Sequence, residues 1–298
     1  MRWDNFRSSS NVEDRRGQGG GGNFRMPGGK GGLGIGTIIV VGLIGWALGI
    51  NPAVLIGGME ALNGAGGGYQ QSQPQQQTSA SGTPTDQTGR FAAAVLAQTE
   101  DVWRDIFRGE GKTYQDPKLV LFTGATRSAC GGAQSAMGPF YCPLDQKVYL
   151  DLAFFQEMKT RFRAPGDFAA AYVIAHEVGH HVQNITGILP RVQQAQKQAG
   201  SKAEANALSV RTELMADCLA GVWAFHADAR FQVLEEGDVE EALNAASAIG
   251  DDRLQKQAQG YAIPDSFTHG TSQQRMTWFM RGLKSGSMQQ CNSFKEPI

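Results

Sequence analysis

Three histidines and a glutamate, His176, Glu177, His180 and His181, fall within six consecutive positions of a chain that has only five histidines. Neutral imidazole is a good zinc ligand. His176 and His180 are four residues apart, so on a helix both project from one face toward a single ion. Glu177 lies one step round the helix, beside such an ion rather than on it, where a carboxylate takes a proton from water and passes it to a leaving amine. This is H-E-x-x-H on a helix, the pattern of zinc-dependent peptide hydrolysis. His181 sits about 100° from His180 around the helix and does not share the seam. It is read as a supporting or surface residue.

A catalytic zinc site needs three protein ligands and keeps a fourth position for water, whose acidity the metal raises. The metzincin continuation would demand Gly and His where this chain has Gln183 and Thr186. Downstream, RTELMADCLAGVWA instead puts Glu213 and Asp217 one turn apart. Glu213 completes a set of two histidines and one glutamate, for one zinc ion per chain. Asp217, on the same face, is placed to accept a hydrogen bond from a ligand histidine's other ring nitrogen. His226 falls on the opposite face of that helix and is read as structural. The rival from another class is a catalytically silent, membrane-tethered scaffold that keeps zinc for structure. Such a closed site would need a fourth protein ligand, and Cys218, five residues past Glu213, points away.

The elements that must position these groups follow from periodicity. A helix is predicted over Arg90 to Gly111, and strands over KLVLFTG and KVYLDLAF with a short helix after them. Asp167 is the expected N-cap of the histidine helix, which runs to about Ile185 and is ended by Gly187 and Pro190. Further helices are expected over 203–228, 239–257 and 272–284, the last with Thr271 and Gln274 forming a capping box. Strands first and helices afterwards make the fold class α+β, mostly helical with a small sheet. Lys147–Asp151 is the candidate sheet edge for aligning an extended peptide.

The motifs AHEVGHHVQ and ELMADCLAG resemble the gluzincin pattern. The whole chain is similar to the bacterial neutral zinc metallopeptidase family, through MRWDNFRSS, the apolar run near residue 40, ACGGAQSAMGPFYCP and FTHGTSQQRMTWF. The resemblance implies a zincin-like fold with His176, His180 and Glu213 as ligands and Glu177 as base. His269, in SFTHGTS, resembles the late histidine with which many gluzincins stabilise the oxyanion; the alternative is a histidine that only orders its loop. Arg275 is a candidate to hold Asp217 or a substrate carboxylate, with an exposed ion pair as the other reading.

Composition sets the surroundings. The 298 residues, 41% of them hydrophobic, suffice for at least one well-cored domain. A net charge of −1 excludes the basic excess of a nucleic-acid binder. Residues 1–32 are rich in Gly, Ser and Arg and are expected to be a disordered cytoplasmic segment. Residues 33–53 open with LGIGTIIVVGLIGWALGI, an uncharged run that approaches the roughly 20 residues of a transmembrane helix. Arg2, Arg7, Arg15, Arg16, Arg25 and Lys30 precede it and no Lys or Arg follows until Arg90. The positive-inside rule therefore makes it a single-pass inner-membrane anchor with a cytoplasmic N-terminus. Gly45 and Gly49 offer a small-residue contact for self-association through the span. Residues 54–87 read as a flexible Gly/Gln/Ser/Pro tether, and 88–298 as the metallopeptidase domain, periplasmic or otherwise outside the cytoplasm. Cysteine usage agrees with that compartment, since all four lie in this domain. Cys130 and Cys142 bracket a glycine-rich loop as one disulfide. Cys218 with Cys291 forms the second, against the alternative of two buried thiols. A peptide or protein is the expected substrate.

Overall fold

In this computed structural model the described residues are 1–17, 80–81, 84–296 and 298. The expected span at 33–53 lies outside them, and among the described residues no helix is long and apolar enough to cross a membrane.

The chain opens not with disorder but with a folded segment. Residues 1–17 lie on the domain and contribute strand β1 (Val12–Asp14). β1 pairs in parallel with β3 (Lys118–Phe122), Val12 opposite Leu119, and antiparallel with the two-residue β2 (Ala80–Ser81). The expectation of disorder was drawn from the Gly/Ser/Arg composition of 1–32. It fails for residues 1–17 because their few apolar and charged side chains find partners: Met1 and Val12 are in the core, and Trp3 and Phe6 pack edge-on against Phe91 and Phe231. The folded domain therefore includes residues that an 88–298 boundary omits.

Helix α1 (Gln87–Gly109) starts one residue after Asp86, whose side chain accepts the Gly89 N–H, and buries Phe91, Val95, Val102 and Phe107. The loop between Cys130 and Cys142 carries one strand of a small hairpin, β4 (Ala125–Ser128) with β5 (Gly131–Gln134). Then come β6 (Phe140–Cys142) and β7 (Lys147–Asp151), followed by α2 (Ala153–Thr160). The main sheet runs β2-β1-β3-β7-β6, with β6 antiparallel to β7. Lys147–Asp151 is thus interior, flanked on both sides, and the edge beside it is β6. A neighbour on each side, parallel β3 and antiparallel β6, goes with the near-continuous burial of its Val148, Tyr149, Leu150 and Asp151.

The rest is helical: α3 (Asp167–Ile185), α4 (Ile188–Gln198), α5 (Lys202–Phe231), α6 (Asp238–Ala248), α7 (Asp251–Gln259) and α8 (Ser272–Ser285). Asp167 is not the cap of α3 but its first residue. Gly166 holds the cap position, Glu241 accepts the Phe168 N–H, and Asp167 is drawn instead to the Met1 amino group at 2.6 Å. Gly187 ends α3 but also starts α4, in whose first turn Pro190 is tolerated. The helix expected over 239–257 breaks at Ile249 and Gly250, where a side chain at Gly250 would run into the Ser272 backbone. Thr271 and Gln274 form both bonds of the capping box at the start of α8. α3 is buried almost all round, from Phe168 to Gln183, as the central helix of the core. The mostly helical α+β architecture with a small sheet agrees with the expected class.

Candidate metal centre

The site is made where α3 meets α5, and a glycine sets their separation. A β-carbon at Gly179 would stand 3.0 Å from the Ala216 carbonyl oxygen, so the residue between the two motif histidines is the one that lets the backbones approach. His176 and His180 then stand with ring centroids 4.8 Å apart. Glu213 reaches in from α5, one carboxylate oxygen 3.1 Å from His176 Nε2 and the other 3.4 Å from His180 Nε2. One ligand atom from each of the three residues lies within 4.8 Å of the others. Tetrahedral zinc with bonds of about 2.0–2.2 Å would separate its ligands by about 3.4 Å, so these groups fit such an ion. Two nitrogens and one oxygen are the donor set of a catalytic centre that leaves one position free.

The far sides of both rings are fixed. His176 Nδ1 lies 2.8 Å from Asp217, and Asp217 is fully buried. It also accepts the Arg275 Nε–H at 2.8 Å, an Arg275 Nη2–H at 2.9 Å and the Tyr172 hydroxyl at 2.5 Å. His180 Nδ1 donates to Gln183 Oε1 at 3.0 Å, and Gln183 in turn donates to the Thr212 carbonyl at 2.7 Å. With both Nδ1 atoms used as donors, each Nε2 is the nitrogen that faces Glu213, and on losing its proton it offers its lone pair to a metal. Arg275 is buried, so it belongs to the buried network and not to an exposed pair.

Charge follows the geometry. Burial works to raise Asp217, but Arg275 and His176 outweigh it and hold the carboxyl at about 2. Burial works to lower His176, yet Asp217 and then Glu213 carry it up to about 10. His180 is raised against burial by Glu213, and Glu213 is held well below its ordinary range by the two histidines, against burial. Glu177, buried beside them, is raised by burial, with His180 and His176 opposing. A carboxyl shifted upward is better matched to taking and returning a proton near neutrality.

His269 stands on the loop before α8. Asp251, the first residue of α7, organises that loop by accepting the backbone N–H groups of Thr268, His269 and Gly270 at 2.7, 2.6 and 3.2 Å. The same carboxylate takes His269 Nδ1 at 3.2 Å. Burial lowers His269, but Asp251 and the charge of Glu213 raise it, which puts it within electrostatic reach of the ligand cluster. A second acidic group, Asp167, Asp238 and Glu241, also gathers in space. There the Met1 amino group already supplies the positive charge, 2.6 Å from Asp167 and 3.3 Å from Asp238.

The remaining histidines are pins. His181 is fully buried rather than at the surface, joining Tyr141 on β6 at 3.0 Å to the Gln115 carbonyl at 2.6 Å. His226 bonds the Gly286 carbonyl at 2.8 Å. The cysteines pair as Cys130–Cys142 and Cys218–Cys291, with Cα atoms 5.8 and 5.4 Å apart. Sequence reading missed four contributors. Tyr172 and Gln183 were within reach of it, four residues before His176 and three after His180 on the same helix. Gly179 reads as a packing glycine only once its neighbour is known, and nothing in the sequence links Asp251 to His269.

The model of the family described as "Putative neutral zinc metallopeptidase" matches residues 1–294. The protein YpfJ of Escherichia coli (strain K12), described as uncharacterized, is 52% identical over 304 residues, covering 100% of both chains. Rv2575 of Mycobacterium tuberculosis (strain H37Rv), likewise uncharacterized, is 44% identical over 204 residues, 65% of this chain and 66% of its own. No solved structure matches. The match takes in the folded N-terminal segment as well as the helices that carry His176, His180 and Glu213, and the chain belongs to the neutral zinc metallopeptidase family.

Proposed function

We propose that this protein is a zinc-dependent peptidase that hydrolyses peptide bonds in the cell envelope, held at a membrane by the apolar run within residues 33–53. The observation that carries the reading is the convergence of His176, His180 and Glu213 with a buried Glu177 alongside. A closed structural site would have no use for that fourth, unliganded carboxyl. When bound, zinc supplies Lewis acidity to a water and to the scissile carbonyl. Glu177 takes the proton of the attacking water and returns it to the leaving amine. His269, oriented by Asp251, donates a hydrogen bond to the oxyanion. Asp217, Arg275 and Tyr172 hold His176 in register, and Gln183 does the same for His180. An extended substrate lies along β6, the outermost strand, whose Tyr141 bonds to His181 and Asn184 of α3. Two disulfides support an oxidising compartment.

The test is cleavage of a broad peptide library by the full chain, with zinc content measured alongside, for the native protein and Glu177→Gln. Expected is cleavage that drops by about 10²–10⁴-fold in the variant at unchanged zinc occupancy. A native protein that holds zinc and cuts nothing in the library would move the reading to a zinc-binding scaffold.

A further inference from the structure

We infer that residues 1–17 and the domain that carries His176, His180 and Glu213 occupy the same side of any membrane this chain enters. The inference is independent of whether the site cleaves peptides.

The first ground is that the N-terminal segment is structural. β1 is not an edge strand; it has β2 on one side and β3 on the other. Its ladder extends beyond the strand, with the Leu119 N–H donating to the Asn11 carbonyl at 2.9 Å and the Arg15 N–H to that of Leu121 at 2.8 Å. Further back, the Arg2 N–H donates to the Val233 carbonyl at 2.9 Å and the Ser9 N–H to that of Ala93 at 3.1 Å.

The second ground is charge. Glu100 on α1 is 1% exposed, and hydrogen bonds reach it from the Ser9 hydroxyl at 2.5 Å, the Asn11 amide at 2.9 Å and the Arg7 guanidinium at 2.6 Å. All three donors come from the N-terminal segment. If that segment lay across a bilayer, α1 would lose all three of these hydrogen bonds together with the side chains that cover Glu100. Glu13 is placed the other way round, bonded by Lys147 of β7 at 2.8 Å.

The third ground is geometric. The chain leaves the sheet after Asp14 and returns at Ala80, and these two residues are opposite each other in one antiparallel ladder. Neighbouring strands lie about 5 Å apart, whereas the two ends of one bilayer crossing are separated by a hydrocarbon core of about 30 Å. Asp14 and Ala80 therefore lie on one face of a bilayer, not on opposite faces. The charge asymmetry around the apolar run by itself favours a cytoplasmic N-terminus with the domain outside, but two of the residues that carry it, Arg7 and Arg15, are engaged with the domain's own carboxylates and carbonyls.

Sidedness is read directly by cysteine labelling of the full chain in bacterial cells. The four native cysteines are bonded in pairs and silent, so Ser8→Cys and Gln194→Cys, both at exposed positions, each introduce one reactive thiol. A membrane-impermeant maleimide is applied to spheroplasts and to inverted membrane vesicles, with detergent-opened samples giving the total. The expected result is that both variants label in the same preparation and are protected together in the other. Labelling of the Ser8→Cys variant in one preparation and of the Gln194→Cys variant in the other would overturn the inference.

Discussion

Asp217 ties His176 to a buried arginine and a tyrosine hydroxyl at once. Asp217→Asn keeps the shape but weakens both the hold on His176 Nδ1 and the pairing with Arg275. Zinc affinity should fall by about 10–100-fold, measured by competition with a chelator. Arg275→Met should destabilise the fold by about 3–5 kcal/mol in denaturant unfolding, since Asp217 would lose its bidentate partner and be left buried with His176 alone opposite its charge. An unchanged midpoint would mean that the arginine is dispensable to the network. The protonation of His176 yields a second expectation. A folded-state value of about 10, above its ordinary 6.5, gives the metal-free fold a stabilisation that is fully present below about pH 6.5 and is lost as pH climbs through 10. Zinc competes with that proton, so zinc affinity should rise with pH and binding should release protons. Calorimetry in buffers of differing ionisation heat reads the number released, and an affinity flat between about pH 6 and 9 would contradict the raised value.

At the scale of elements, the site depends on how closely helices approach. α5 and α8 touch backbone to backbone at Gly221 and Gly282: a β-carbon on Gly282 would overlap the Cys218 carbonyl, and one on Gly221 the Phe279 carbonyl. The Cys218–Cys291 bridge fastens the same contact from the C-terminal side. Gly282→Ala should cost about 1–3 kcal/mol and lower Tm by about 3–10 °C in calorimetry, with weakened zinc binding because Arg275 shifts away from Asp217. Retention of the native Tm would show that the helices separate without strain. Much of this level was legible in advance. The histidine helix, the glutamate helix and the capping box declare themselves through spacings of three and four residues, the range over which one helix face is continuous. What escaped depends on partners far along the chain. Val12–Asp14 is three residues in a polar stretch, too short for a strand pattern, and becomes one only because Leu119–Leu121 and Ala80–Ser81 flank it. Lys147–Asp151 looked like an edge because nothing local says that β6 will lie outside it.

For the molecule as a whole, the N-terminal segment decides what counts as a complete domain. A chain beginning at Thr88 lacks Met1 and Val12 from the core, each worth about 1.5–3 kcal/mol of burial, and leaves Glu100 without its hydrogen bonds from the segment. Against a total stability of about 5–15 kcal/mol, that shortened chain should fail to show a cooperative melt. A synthetic peptide of residues 1–17 added to it should restore the melt. A shortened chain that melts like the full protein would show the segment to be dispensable. The placement of β1 also orders events in time. Val12–Asp14 is an interior strand, yet the strand it must join, Lys118–Phe122, does not exist until α1 has been synthesised. Pairings between such distant parts of a chain close slowly. The N-terminal strand therefore remains without its β3 partner throughout early synthesis, and the sheet that supports the metal-binding helix is completed only when the beginning of the chain is fetched back to its middle.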